Sequence, residues 1–103
     1  MTSPPQPASA LPLGLTPYKR TADFNEATIP AGLLRTHSTK HGVWGRIHIL
    51  AGTLAYRILD VRRQARESLL VPGTDGVVEP TILHEVEPRG PVRFFVEFLR
   101  AAP

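Results

Sequence analysis

Turn-forming residues cut the chain after Tyr18 into short apolar or alternating segments, and this punctuation limits the fold more than any other feature. Ile29-Pro30-Ala31-Gly32, Ala51-Gly52, Pro72-Gly73-Thr74-Asp75-Gly76 and Pro88-Arg89-Gly90-Pro91 each combine glycine or proline with small or polar neighbours. Glycine supplies positive φ, and proline presets a turn while removing an amide hydrogen. The intervening runs predict strands at Tyr18 to Asn25, Leu33 to His37, Val43 to Leu50, Thr53 to Leu59, Leu69 to Val71, Val77 to Val78, Leu83 to Glu87 and Val92 to Arg100. Ala51-Gly52 reads as the tight turn of a hairpin between the third and fourth of these. Asp60 to Ser68 has a helix-compatible composition. It is short, highly charged and without an apolar stripe, so a long hairpin connection is the expectation. The pattern is that of an all-β sandwich or barrel in residues 18–103, without internal repeats. Residues 1–17 carry five prolines and read as an extended or disordered tail, in which Leu11, Leu13 and Leu15 are free to dock on the domain or on a partner subunit.

A chain of 103 residues fits one domain with a single modest core. It has no cysteine, which excludes disulfides, thiolate metal sites and cysteine nucleophiles. No apolar run reaches the roughly 20 residues of a membrane helix, and Met1 to Pro17 lacks the pattern of a signal peptide. A soluble, cytoplasmic protein without a membrane role is therefore expected. The net charge of +3 comes from basic residues that are scattered and interleaved with acids. Even Arg62, Arg63 and Arg66 are countered by Asp60 and Glu67, so no nucleic-acid partner is expected.

The last strand sets Val92, Phe94, Val96 and Phe98 on one face and Arg93, Phe95, Glu97 and Leu99 on the other. Both faces are rich in apolar side chains. That predicts a sheet covered on both sides, with a homodimer as the expected cover. Glu97 between Phe95 and Leu99 would need a cation, a metal or a proton if buried.

His37, His84 and Glu97 are distant in sequence, but each lies in or beside a predicted strand. Converging in a small barrel, two imidazoles and a carboxylate form a three-ligand site with open positions, suited to divalent Zn, Fe, Mn or Ni. Spacing alone does not separate this reading from solvated or core histidines. His41 in the loop and His48 on the third predicted strand are additional donors if they turn inward; otherwise they are solvated or structural. Lys40 and Arg46 are candidate anion-binding groups near the site mouth, or ordinary surface charge. Ser38, Thr39 and Asp75 form no hydrolase motif, and Gly42, Gly45 and Gly52 match no nucleotide-binding loop.

The run IPAGLLRTHSTKHGVWGRIHILAGTLAY from Ile29 to Tyr56, with VEPTILHEVEPRGPVRFFVEFL from Val78 to Leu99, resembles the TehB/YeaR-like small cupin family, named for tellurite-resistance proteins. The resemblance implies a double-stranded β-helix, a small jelly-roll barrel, with a metal between its sheets. His37 and His84 match the family's first- and second-segment histidines, and Glu97 falls where some members carry an acid. The general cupin pattern of a paired His-x-His with a downstream Glu is not met. Ser38 and Thr39 follow His37, and Gly45 stands at the glutamate position. Three protein ligands rather than four are the implied set. Some members continue into a methyltransferase. No cofactor-binding βαβ unit follows the last strand here, so a stand-alone domain without methyl transfer is expected.

Two functions follow as expectations: a metal-binding cupin that presents a divalent ion to a small molecule or oxyanion, or a non-enzymatic sensing or stress-response module acting as a dimer. The sequence selects no reaction, so enzymatic activity is left open.

Overall fold

A computed structural model describes residues 4–6, 8 and 10–102. Its strands are β1 (Leu15–Arg20), β2 (Phe24–Asn25), β3 (Trp44–Ile58), β4 (Arg66–Leu70), β5 (Gly76–Val78) and β6 (His84–Ala101), with one helical turn, α1 (Ala31–Leu34). They form an antiparallel six-stranded sheet in the order β1-β6-β3-β4, with β2 joined to β6 and β5 to β3. The all-β expectation holds.

The expected hairpin at Ala51-Gly52 is absent, and so is the expected turn at Pro88 to Pro91. Both places are bends inside continuous strands, and β3 pairs with β6 from Trp44↔Leu99 to Ile58↔His84. Register shifts between Ile49 and Ala51 and between Gly52 and Leu54 mark bulges. A bulge adds a residue to one strand, bends it and changes which side chains face inward. In β3 the buried positions accordingly change from Ile47 and Ile49 to Leu54, Tyr56 and Ile58. The change keeps apolar side chains on one concave face as the ladder folds over. Gly52, at φ +79°, fits because a Cβ there would lie 2.0 Å from the Pro91 carbonyl oxygen. Pro88 and Pro91 fall at the same bend, where the ladder is interrupted and a missing amide hydrogen costs little.

The predicted strand from Leu33 to His37 is instead α1 followed by a single bridge at His37. Pro30, at φ −56°, opens the turn and accepts the Leu33 amide, so Leu33 packs on the core while Leu34 is exposed. The predicted strand from Tyr18 to Asn25 divides into β1 and β2, and β1 starts at Leu15, inside the expected tail. As an edge strand, β1 tolerates Pro17, opposite Leu99. Two points of the described tail are tied down, the Gln64 amide donating to the Pro5 carbonyl (2.9 Å) and the Ala8 amide to Glu79 (3.0 Å), whereas Leu13, one of the leucines expected to dock, is fully exposed. Asp60 to Ala65 is a turn leading into β4, in line with the expected connection, but Arg66 to Ser68, assigned to that connection from the sequence, already belong to the strand.

The core gathers Ile47, Ile49, Leu54, Ile58, Val86, Val92, Phe94 and Val96 with Ile29, Leu70, Val78 and Ile82. The second apolar face of β6 is covered from within the chain. Phe95 lies under the Arg20 guanidinium (3.7 Å) and stacks on His48 (centroids 4.6 Å apart), while Leu99 is buried. The two-sided hydrophobicity of this strand therefore does not itself require a partner subunit.

Candidate functional site

His37 and His84 exchange reciprocal backbone hydrogen bonds, each amide donating to the other's carbonyl at 2.9 Å. Directly paired antiparallel residues project their side chains together from one face. The imidazoles consequently meet edge to face, with centroids 4.1 Å apart and planes at 64°. Tyr56 closes on His84 from another side at 5.6 Å, and its hydroxyl donates to the Val77 carbonyl.

Each ring is fixed in the same way. His37 Nδ1 lies 2.8 Å from the Arg35 carbonyl, and His84 Nδ1 lies 2.8 Å from the Ile82 carbonyl. A carbonyl only accepts, so Nδ1 donates in both rings and Nε2 is the nitrogen left for other use. His84 is 3% exposed, yet among the described residues no buried side-chain nitrogen or oxygen lacks a partner. Its Nε2 has none, so that atom opens onto free space. Burial holds the His84 imidazole down to a pKa of about 4; the Ile82 hydrogen bond opposes the shift and a charge on His37 adds to it. At neutral pH His84 is therefore uncharged and its Nε2 carries a lone pair.

Both histidines border a cavity of about 370 Å³. Its floor is the apolar concave face of the sheet (Ile47, Val86, Phe94, Val96 and Phe98), and Ser38, Thr39, Lys40 and Lys19 form much of the polar wall.

Glu97 does not join the two histidines. It lies on the convex face beside His48, with Oε1 3.4 Å from His48 Nε2, and does not border the cavity. The reason is strand parity: Val96 and Phe98 face inward, so Glu97 faces outward. His48 shares that outer face, between Glu97 and Asp75. Arg46, directly opposite Glu97 in the ladder, is also outside the cavity wall, and His41 is exposed in the loop. Lys40 borders the cavity as expected. Among the described residues no group of three histidine, aspartate or glutamate side chains is arranged to hold a metal ion.

Sequence reasoning missed the clamp behind His84. Asp60, 4% exposed, accepts from the Arg62 side chain, the Arg62 amide and the Leu83 amide. These bonds, the Arg62 guanidinium first, hold its carboxyl far below the usual range. Arg62 also donates to the carbonyl of Thr81, a β-branched residue at φ +66°. Left-handed backbone at such a residue persists only where the surroundings enforce it. The Thr81 amide in turn donates to the Thr39 carbonyl, tying this turn to the loop after His37. Asp60 thus anchors the residue just before His84 and, through Arg62, the turn that meets the His37 loop. In Asp60→Asn the Leu83 amide should exchange at least about tenfold faster, because the side chain loses its charge and one acceptor oxygen. Hydrogen exchange followed by NMR checks this; unchanged protection of Leu83 would show that the clamp holds nothing.

A family model for the TehB-like domain matches residues 19–96. The chain belongs to the TehB-like domain family. Among solved structures, this TehB-like domain superposes on TehB from Haemophilus influenzae with a TM-score of 0.78 at 25% identity, covering 86% of this chain and 32% of that one. It thus spans about a third of that protein. A protein from E. coli (strain K12) matches over nearly its whole length, with a TM-score of 0.81, 24% identity, and 91% and 98% coverage. Hydroxypropylphosphonic acid epoxidase from S. wedmorenis shares the fold at a TM-score of 0.55 and 18% identity, over 82% of this chain and 42% of its own. A comparison with curated proteins gives no match. These likenesses identify the TehB-like domain as a cupin-type β-barrel, in agreement with the fold that the resemblance implied.

Proposed function

We propose that this domain binds a divalent metal through Nε2 of His37 and His84 and presents it to a small molecule in the cavity. The observation that carries this reading is the matched anchoring of the two rings, each with Nδ1 donating to a backbone carbonyl and Nε2 unengaged. That orientation is the usual one for a metal-bound imidazole, whose second nitrogen donates to an outer partner. The donor set supplies two imidazoles and no carboxylate, so the remaining positions fall to water or to the ligand. Such an ion supplies Lewis-acid character when bound. The chain's own contribution is to hold both rings in one tautomer, keep His84 uncharged and enclose the ligand in a mainly apolar wall. Zn, Fe, Mn and Ni all accept nitrogen and oxygen donors. Crystal structures of the distantly similar epoxidase describe it with Fe(II), which supports testing that ion first.

The expected result is a saturable divalent ion in tag-free protein, bound at least about tenfold more weakly in His84→Ala, since losing a ligand should cost no less than losing a ligand's outer partner. Equal metal content in wild type and variant removes His84 as a ligand. Glu97→Gln should bind the ion as the wild type does.

Binding without turnover is a second reading, in which the mainly apolar wall holds a ligand and the two histidines only anchor it or a metal. Oxygen uptake or product formation by metal-loaded protein with ligand present would exclude it.

A further inference from the structure

We propose that the ligand of this cavity is an organic monoanion with an apolar body, its carboxylate held by Lys19 and Lys40, rather than a small inorganic oxyanion. The inference rests on the reading of the cavity as a binding site, but not on the metal.

The wall divides by chemistry. Among the described residues its charged side chains include Lys19 and Lys40 and no aspartate or glutamate, while the floor is wholly apolar. The cations come from two directions. Lys40 follows His37, Ser38 and Thr39 on the loop, and Lys19 lies on β1 opposite Phe98 of β6. Among the described residues neither lysine has an ion-pair partner; Arg35, Arg46, Arg66, Arg93 and Arg100 lack one too, but none of those arginines borders this cavity. Two unneutralised cations at the rim of an apolar pocket disfavour a cationic ligand and attract an anion.

The floor then selects among anions. An inorganic oxyanion presents oxygen on every side, and each oxygen turned toward Phe94 or Val96 would lose its water without a replacement donor. A carboxylate with a hydrocarbon body places its charge at the lysines and its apolar part on the sheet. The volume of about 370 Å³ suits such a molecule, being at the lower end of small-molecule pockets.

The test titrates acetate, butanoate, hexanoate, octanoate, hexan-1-ol and inorganic phosphate into chelator-treated and metal-loaded protein, by calorimetry and NMR. Affinity should rise about fourfold per added methylene until the cavity is filled. Hexan-1-ol and phosphate should both bind more weakly than hexanoate. Lys19→Gln and Lys40→Gln should each weaken hexanoate about two- to fivefold, as expected for a solvent-screened ion pair, and leave hexan-1-ol unchanged. Both lysines are exposed, so both variants should fold. Phosphate binding as tightly as hexanoate, no gain with chain length, or lysine variants identical to wild type would overturn the proposal. Carboxylate binding that survives where His84→Ala and wild type hold equal metal would support this inference while sinking the metal reading. Intact metal binding with no preference for the longer acids would do the reverse.

Discussion

Alanine at Gly52 is expected to cost about 2–5 kcal/mol of folding stability, the sum of left-handed strain of about 1–2 kcal/mol and an overpacking penalty of about 1–3 kcal/mol. The residue sits at φ +79°, and its new Cβ would meet the Pro91 carbonyl oxygen at 2.0 Å, the carbonyl carbon at 2.9 Å and the Val92 Cα at 2.9 Å. All of these are backbone atoms of the strand paired with β3, so no side-chain rotation relieves the clash. The bend itself must open. Gly90 provides the control: it has a similar φ of +86°, but nothing lies within 4 Å of a Cβ there. Gly90→Ala should therefore lose only the strain, about 1–2 kcal/mol. Urea denaturation of both variants separates the two contributions, and equal losses would show that the approach of β6 to Gly52 does not hold the bend.

Acidification from pH 6.5 to pH 4 is expected to remove about 3 kcal/mol from the chelator-treated protein through His84 alone, at roughly 1.4 kcal/mol for each unit of pKa displacement. The folded-state pKa is about 4, below the ordinary 6.5, because burial disfavours the imidazolium. Above pH 6.5 neither state holds the proton, and stability is complete. Between 6.5 and 4 the unfolded chain takes up a proton that the folded chain refuses, so stability falls as pH falls. Below about 4 the folded form is protonated too, and this contribution levels off. The carboxylates held down by partners, Asp60 by Arg62, Glu67 by Arg57 and Glu79 by Arg63, start from ordinary values of 3.8 to 4.5, so their losses lie at lower pH. Replacing the imidazole in His84→Gln should flatten the profile between pH 6.5 and 4.5. Denaturation midpoints of wild type and variant across this range provide the check, and parallel profiles would remove His84 as the source.

The fold class was legible because periodicity and punctuation are local signals. The long strands were not, because glycine serves a reversal and a bulge equally well. Ala51-Gly52 reads as a hairpin turn until the carbonyl of Pro91 arrives from forty residues away in sequence to occupy the space beside it. Leu33 to His37 went the same way, where Pro30 starts a helical turn that pattern alone does not separate from a strand. In the site, His37 and His84 were legible as residues whose chemistry asks for a partner, and the structure brings them together. The misplacement of Glu97 was avoidable in principle. Its own strand set it with Arg93, opposite the uninterrupted apolar series Val92, Phe94, Val96 and Phe98, and the purer series is the one a core selects. Nothing comparable marked Asp60. A buried carboxylate flanked by arginines has the same local sequence as a solvated charged loop, and only the amide of Leu83 distinguishes them. Lys19 was equally silent, because its position at the cavity depends on the shift between Pro17 and Lys19 in the pairing of β1 with β6.

The placement of β6 has a consequence for biosynthesis. It pairs with β1, β2 and β3, so the ribosome makes three strands before any of them meets the segment that completes its hydrogen bonding. Until His84–Ala101 emerges, the nascent chain must carry β1 and β2 unpaired and the apolar residues of β3 half covered. Such edges invite pairing with other chains. The interval of translation between β3 and β6 is thus when this domain is most open to wrong pairing, and premature termination before Val92 would release a product unable to close its sheet.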